Sequence, residues 1–172
     1  MIRSRYLSGI ILFLIFLISF VLHFRIFTTD IVGPHSWRQT ATQSNIDCFF
    51  EEDNNILHPR VLARGSGVGI KQSEFPIMQW TIAQTYHVLG QSITSTRTIC
   101  FVIGLLTLFG FFLLLKNLMV NPNSVLAGTA MFTFSPLFYY YMINPLPDLF
   151  ALCGAVWAIH FYFRADKQNI KW

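Results

Sequence analysis

The chain has 172 residues, of which 53% are hydrophobic, 16% aromatic and only 12% charged, a composition too apolar for an ordinary soluble domain of that length. Its net charge of +4 comes from basic residues scattered between apolar runs, with no basic cluster interleaved with aromatics, which argues against a nucleic-acid partner. Cys48, Cys100 and Cys153 have neither a disulfide-framework nor a thiolate-metal spacing and read as small apolar fillers.

Arg3 and Arg5 precede an apolar run over residues 7–24 that has no small-residue cleavage site. It approaches the roughly 20 residues that span a bilayer core, so it reads as a retained signal anchor and not as a cleaved signal peptide. Three further runs follow, at 99–115, 125–143 and 147–163, punctuated by Asn121-Pro122 and by Asn144-Pro145-Leu146-Pro147-Asp148. Proline removes a backbone donor and restricts the residue before it, which ends helices at such places. The last run is short enough to need its flanks for a full crossing.

Residues 76–89 are harder to place. Gln79, Thr81, Gln84, Thr85 and His87 make the segment too polar for a lipid-facing span, while Met78, Ile82, Tyr86 and Leu89 form a helical stripe. An amphipathic helix lying in the interface fits this pattern, with a fifth crossing as the second reading. The expected fold is therefore an all-α integral membrane module of about four transmembrane helices. Its large first external loop, 25–98, carries interfacial helices near 37–50 and 76–89.

Four crossings put the loop, Arg97 and Asp148 on one face, and Arg3, Arg5, Lys116, Arg164, Lys167 and Lys171 on the other, the charge pattern of a cytoplasmic side. The loop itself carries Arg25, Arg38, Arg60, Arg64 and Lys71, so charge alone leaves absolute orientation open. The chain stops soon after its last apolar run, and the expectation is an N-terminal fragment of a longer enzyme, either completed by a missing C-terminal part or a partner chain or inactive as an incomplete copy.

The polar passage from His35 to Pro76 holds most of the residues able to do chemistry. Ser36 with Gln39 three residues on is a capping-box pattern and predicts a helix from Trp37 to about Phe50. Arg38 then falls in the first turn, beside unpaired amides and the positive end of the helix dipole, where a planar guanidinium suits phosphate. The competing reading pairs Arg38 with a loop acid such as Asp30 or Asp47, and both stay open. Glu51-Glu52-Asp53 reads as a solvated turn, and Gly65 to Gly69 lack the lysine and strand of a phosphate loop.

Glu74 stands directly before a proline-started helix. A carboxylate held near that low-dielectric boundary is a better base, although acids there also simply stabilise a helix N-terminus. Arg97 and Asp148 stand at the starts of apolar runs, where a charge must snorkel, pair or line a cavity. A headgroup contact and a helix cap are their plainer roles. His23, His87 and His160 lack ligand spacing; the sequence requires no cofactor and gives a divalent metal no support.

Taken in order, the N-terminal anchor, His35-Ser36-Trp37-Arg38-Gln39-Thr40-Ala41-Thr42, Asn55-Ile56-Leu57-His58-Pro59-Arg60-Val61, Glu74-Phe75-Pro76, Gly90 with Arg97, and Ser135-Pro136 before Pro147-Asp148 resemble the N-terminal part of GT-C fold membrane glycosyltransferases. The similar group is family 39, the dolichyl-phosphate-mannose mannosyltransferase-like enzymes. The resemblance implies an inverting transfer of a sugar from a polyprenyl-phosphate carrier to an acceptor hydroxyl. It also implies a place in the cytoplasmic membrane, bacterial in type, with the first loop on the outer face and membrane lipid around it. Carried onto this chain, it makes Glu74 and Asp148 the catalytic acids and His35, Arg38 and Arg97 substrate-binding residues. Relatives often carry an aspartate shortly after the tryptophan-arginine pair, where this chain has Thr40-Ala41-Thr42. The alternatives from other classes are a non-catalytic membrane scaffold or assembly subunit whose loop binds a partner, and a piece of a transporter.

Overall fold

The structure, a computed structural model, describes residues 2–62 and 74–169, and within them every regular element is a helix. Gly65 to Gly69, Arg64 and Lys71 lie outside the described residues. The elements are α1 (Ile2–His23), closed by a 3-10 turn at Phe24–Ile26, then α2 (Ser36–Glu51), α3 (Ile77–Leu89), α4 (Ile93–Leu118), α5 (Pro122–Thr133), α6 (Pro136–Tyr141) and α7 (Asp148–Asn169).

Two stretches, Ser8–Ile26 and Ile93–Leu118, are both long and apolar enough to cross a membrane. Large apolar side chains stand exposed along them, including Phe13, Val21, Val102 and Leu106. Contiguous apolar surface of this kind belongs against lipid. At 1.5 Å per residue α4 is about 39 Å long, enough for a hydrocarbon core of roughly 30 Å, whereas the 13-residue α3 is only about 20 Å.

The run expected as one span over 125–143 is instead two helices. Pro136 has no N–H to continue the ladder, and its ring excludes the carbonyl one turn back. Ser135 turns extended (φ −63°, ψ 134°), and its hydroxyl accepts from Phe138 N at 3.4 Å to start α6. The 12-residue α5 is about 18 Å long, too short to cross alone. The other ends are marked locally too: Ser92 accepts from Ser95 N at the start of α4, and Asn121 caps α5 with Pro122 in its first turn.

α4 is the spine. Its residues join three apolar clusters in succession: Cys100 with Ile46 and Phe49 of α2 and Met78, Ile82 and Tyr86 of α3; Phe101 and Leu108 with Phe138, Met142 and Leu149; Phe112 and Leu115 with Val125 and Leu126 of α5, beside Ile11 and Leu12 of α1. The loop helices therefore sit as a cap on one end of the bundle, packed on the first turns of α4. Ser8, Lys116 and Met119 share a cavity at the other end.

The capping-box expectation is corrected. The residue before α2 is His35, in the left-handed region at φ 55°, and no side-chain cap bond forms. Histidine is among the few non-glycine residues that tolerate this conformation. Gln39 does not reach back to the cap; it is fully buried, and its amide donates to Pro34 O (3.1 Å) and Tyr140 Oη (2.6 Å). The turn into α2 is thus held by α6 and not by its own cap.

Candidate active site

Residues distant in sequence meet where α2, the start of α3 and the start of α7 converge. Arg38, in the first turn of α2, lies between two carboxylates: Glu74 Oε2 at 3.4 Å and Asp148 Oδ2 at 3.3 Å from its two terminal nitrogens. All three side chains are partly open to solvent, at 35%, 33% and 45%, so the pairings are accessible and exchangeable, unlike a sealed salt bridge. The sequence left Arg38 open between phosphate and a loop acid. Its partners here are Glu74 and Asp148 and neither of those two loop acids; the Asp47 carboxylate accepts from Gln43 and Gln91.

Gln79, on the first turn of α3, donates to Glu74 Oε1 at 3.2 Å and so fixes the carboxylate from the side opposite Arg38. Glu74 is orienting itself on that turn through a side chain, while Pro76 occupies the cap position with no side-chain cap bond. Beside the pair lies a cavity of about 260 Å³, walled by Trp37, Arg38 and Asn45 from α2, by Glu74 and Gln79, and by Pro59 and Val61 of the intervening strap.

The strap is tied down by the charges that read as a solvated turn. Arg60 pairs with Asp53 (3.3 Å) and Glu52 (3.8 Å), and His58 Nδ1 lies 3.5 Å from Asp53. Asn45 Nδ2 donates to Arg60 O at 2.7 Å, and Leu62 N donates to Ser44 Oγ at 2.7 Å, which fastens the segment to α2. The acidic run thus holds the strap whose Pro59 and Val61 line the cavity.

Arg97 is placed differently from the expectation. It is 2% exposed, and its guanidinium donates to the carbonyls of Ile26 and of Asp30, the latter at 3.1 Å. It clamps the end of α1 to α4 and does not join the Arg38 group. His35 sits on an exposed turn, and among the described residues no hydrogen bond or ion pair joins its ring to that group. Asp47 accepts from Gln43 and Gln91 in a network that continues through Tyr86 to Thr96. Burial pushes its carboxyl above the usual range, against the pull of those two amides, and Glu51 adds to the rise. Among the described residues no group of three or more His, Cys, Asp and Glu side chains is placed to hold a metal ion.

Sequence reading missed Asn45, Gln79 and Tyr140. Gln79 carried the best signal, a glutamine next to Met78 on the apolar stripe of α3, five residues after the acid it holds. Asn45 and Tyr140 gave none, because their roles depend on contacts 15 and 101 residues away.

Residues 73–172, more than half of the chain, match the family model described as dolichyl-phosphate-mannose-protein mannosyltransferase. The chain belongs to this family. No curated protein and no solved structure matches it. The matched part of this mannosyltransferase-family chain takes in Glu74, Arg97 and Asp148 and begins after His35 and Arg38. Family and apolar helices together make it a membrane protein of glycosyltransferase type.

Proposed function

We propose that the chain transfers a glycosyl group from a polyprenyl-phosphate carrier to an acceptor hydroxyl at the outer face of the membrane, with inversion. The observation that carries this reading is Arg38 held between Glu74 and Asp148 at the rim of a cavity on the loop end of the bundle. Inversion needs the acceptor oxygen and the departing phosphate on opposite sides of the anomeric carbon. Glu74 takes the acceptor's proton as the new C–O bond forms, while the old C–O bond breaks and its electron pair leaves with the phosphate.

The charge movement suits this arrangement. A protonated Glu74 loosens its hold on Arg38 just as negative charge builds on the phosphate, and the guanidinium is then available to that charge. Asp148 keeps Arg38 aimed from the other side and acts as the second acid. Arg97 holds the turn that delivers α2, and His35 supports the same turn through its backbone carbonyl, which accepts from Arg38 N and Gln39 N.

Radiolabelled sugar transfer from a polyprenyl-phosphate donor, measured in membranes carrying the chain, tests the reading. Glu74→Gln is expected to lower transfer by about 10²–10⁴-fold with membrane insertion intact. Arg38→Ala is expected to weaken donor binding. Undiminished transfer by Glu74→Gln, or undiminished donor affinity in Arg38→Ala, removes the role assigned to that residue. No transfer by the well-expressed native chain favours a scaffold.

A further inference from the structure

The cavity beside Glu74 has a chemistry of its own. Asn45 and Gln79 are 7% and 4% exposed, they come from different helices, and both line it. Each uses its amide N–H, on Arg60 O and on Glu74 respectively, and each leaves its amide oxygen buried without a hydrogen-bond partner. Buried acceptors of this kind are rare in native proteins and ask for a donor. With the Glu74 carboxylate, the wall offers three acceptor groups.

A single structural water does not account for this space. At about 30 Å³ per water the cavity has room for roughly eight. Pro59, Val61, Ala41 and Pro76 make much of the remaining wall apolar. Trp37, also lining the cavity, is 72% exposed. A wall of acceptors, an apolar surface and an exposed aromatic face together match a ring with hydroxyls at its edge and C–H bonds on its faces. An anion is disfavoured, because Arg38, the lining cation among the described residues, is already shared by two carboxylates. The volume lies just below the roughly 300–1,000 Å³ of ordinary ligand pockets, which suits one ring and not two.

We propose that this cavity binds one neutral, polyhydroxylated sugar ring, with Asn45 Oδ1 and Gln79 Oε1 each accepting a hydrogen bond from a ring hydroxyl and Trp37 covering a face. The phosphate stays outside the cavity, at Arg38 on its rim. The choice of a sugar rests on the glycosyl-transfer reading above, but the two fail separately: loss of transfer in Glu74→Gln tests that reading, and binding ratios test this one.

The experiment is a double-mutant cycle between protein and ligand. Methyl mannoside and its four monodeoxy analogues are titrated against the full chain in nanodiscs, with tryptophan fluorescence as the readout. In the native chain, removal of the hydroxyl that meets Asn45 weakens binding about fivefold, the worth of one hydrogen bond. In Asn45→Leu that difference disappears while the other analogues keep their ratios; Gln79→Met abolishes a different one. Any general loosening of the fold affects all analogues alike and leaves the ratios unchanged. Unchanged ratios in both variants overturn the proposal, as does the absence of saturable binding to the native chain. Displacement of the glycoside by polyprenyl-phosphate mannose, but not by polyprenyl phosphate, assigns the ring to the donor. Simultaneous binding assigns it to a glycosyl acceptor.

Discussion

Two arginines start alike in the sequence and end in opposite roles. Both open a helical segment and both were expected to meet phosphate, yet Arg38 is open and shared by acids, and Arg97 is buried and donates to backbone carbonyls. Removing Arg97 takes the charged donor away from the carbonyls of Ile26 and Asp30 and unties the end of α1 from α4. Hydrogen bonds to a charged donor contribute about 1.5–3 kcal/mol each. Arg97→Met is therefore expected to cost about 3 kcal/mol of stability, seen as a lower Tm in detergent, with any loss of transfer following the loss of fold. Arg38→Ala leaves Tm nearly unchanged, because its ion pairs are exposed.

Asp47 gives a pH signature at the same scale. Its folded-state carboxyl is raised, by burial first, so the folded chain holds this proton to higher pH than the unfolded chain does. Stability from this group is thus greatest below the ordinary carboxylate range and falls as pH rises through the folded value. Asp47→Asn keeps an acceptor for Gln43 and Gln91 and removes the charge. It is expected to raise Tm at pH 7 and to leave it unchanged in acid, as measured by thermal melts across pH.

Among the elements, α4 decides how close its neighbours come. A Cβ at Gly104 would overlap Met142 Cγ, and one at Gly110 would stand 2.9 Å from the Trp157 ring. Gly104→Ala is expected to force α6 outward at a cost of about 1–3 kcal/mol, and Gly9→Ala, which meets nothing within 4 Å, serves in the same melts as the comparison that gains helix propensity without a clash. Helix existence was legible from apolar runs and punctuation: α1, α2, α3 and α4 fall close to their expected places. The break inside 125–143 was not, although Ser135-Pro136 stood in the text of the sequence. Hydropathy continues straight across the proline, whereas the backbone cannot, since the missing N–H and the ring clash act at one residue.

At the scale of the molecule, the chain has a polar end and an opposite end joined by α4. Val32 and Val120, at 61% and 101% exposure, mark the two. Labelling with a membrane-impermeant maleimide is expected to reach Val32→Cys and Val120→Cys from opposite sides of sealed vesicles. Labelling of both from one side would break the assigned topology. Cys48 and Cys100 are buried and give little background.

Membrane class, helical architecture and the family were legible in the sequence alone, because apolar runs near a bilayer's thickness and an ordered set of short motifs are local properties of the chain. Glu74, Arg38 and Asp148 could be named from the motifs, but nothing in the spacing of residues 38, 74 and 148 says that they meet. The tertiary structure decided that, by laying α2 and α3 across the first turns of α4 and opening α7 beside them. It also decided that Arg97 donates to backbone carbonyls away from Arg38 and that Asn45 and Gln79 line a common cavity. Contacts between side chains far apart in sequence depend on how helices pack, and packing is set by complementary shape over whole faces, which no short stretch of sequence records.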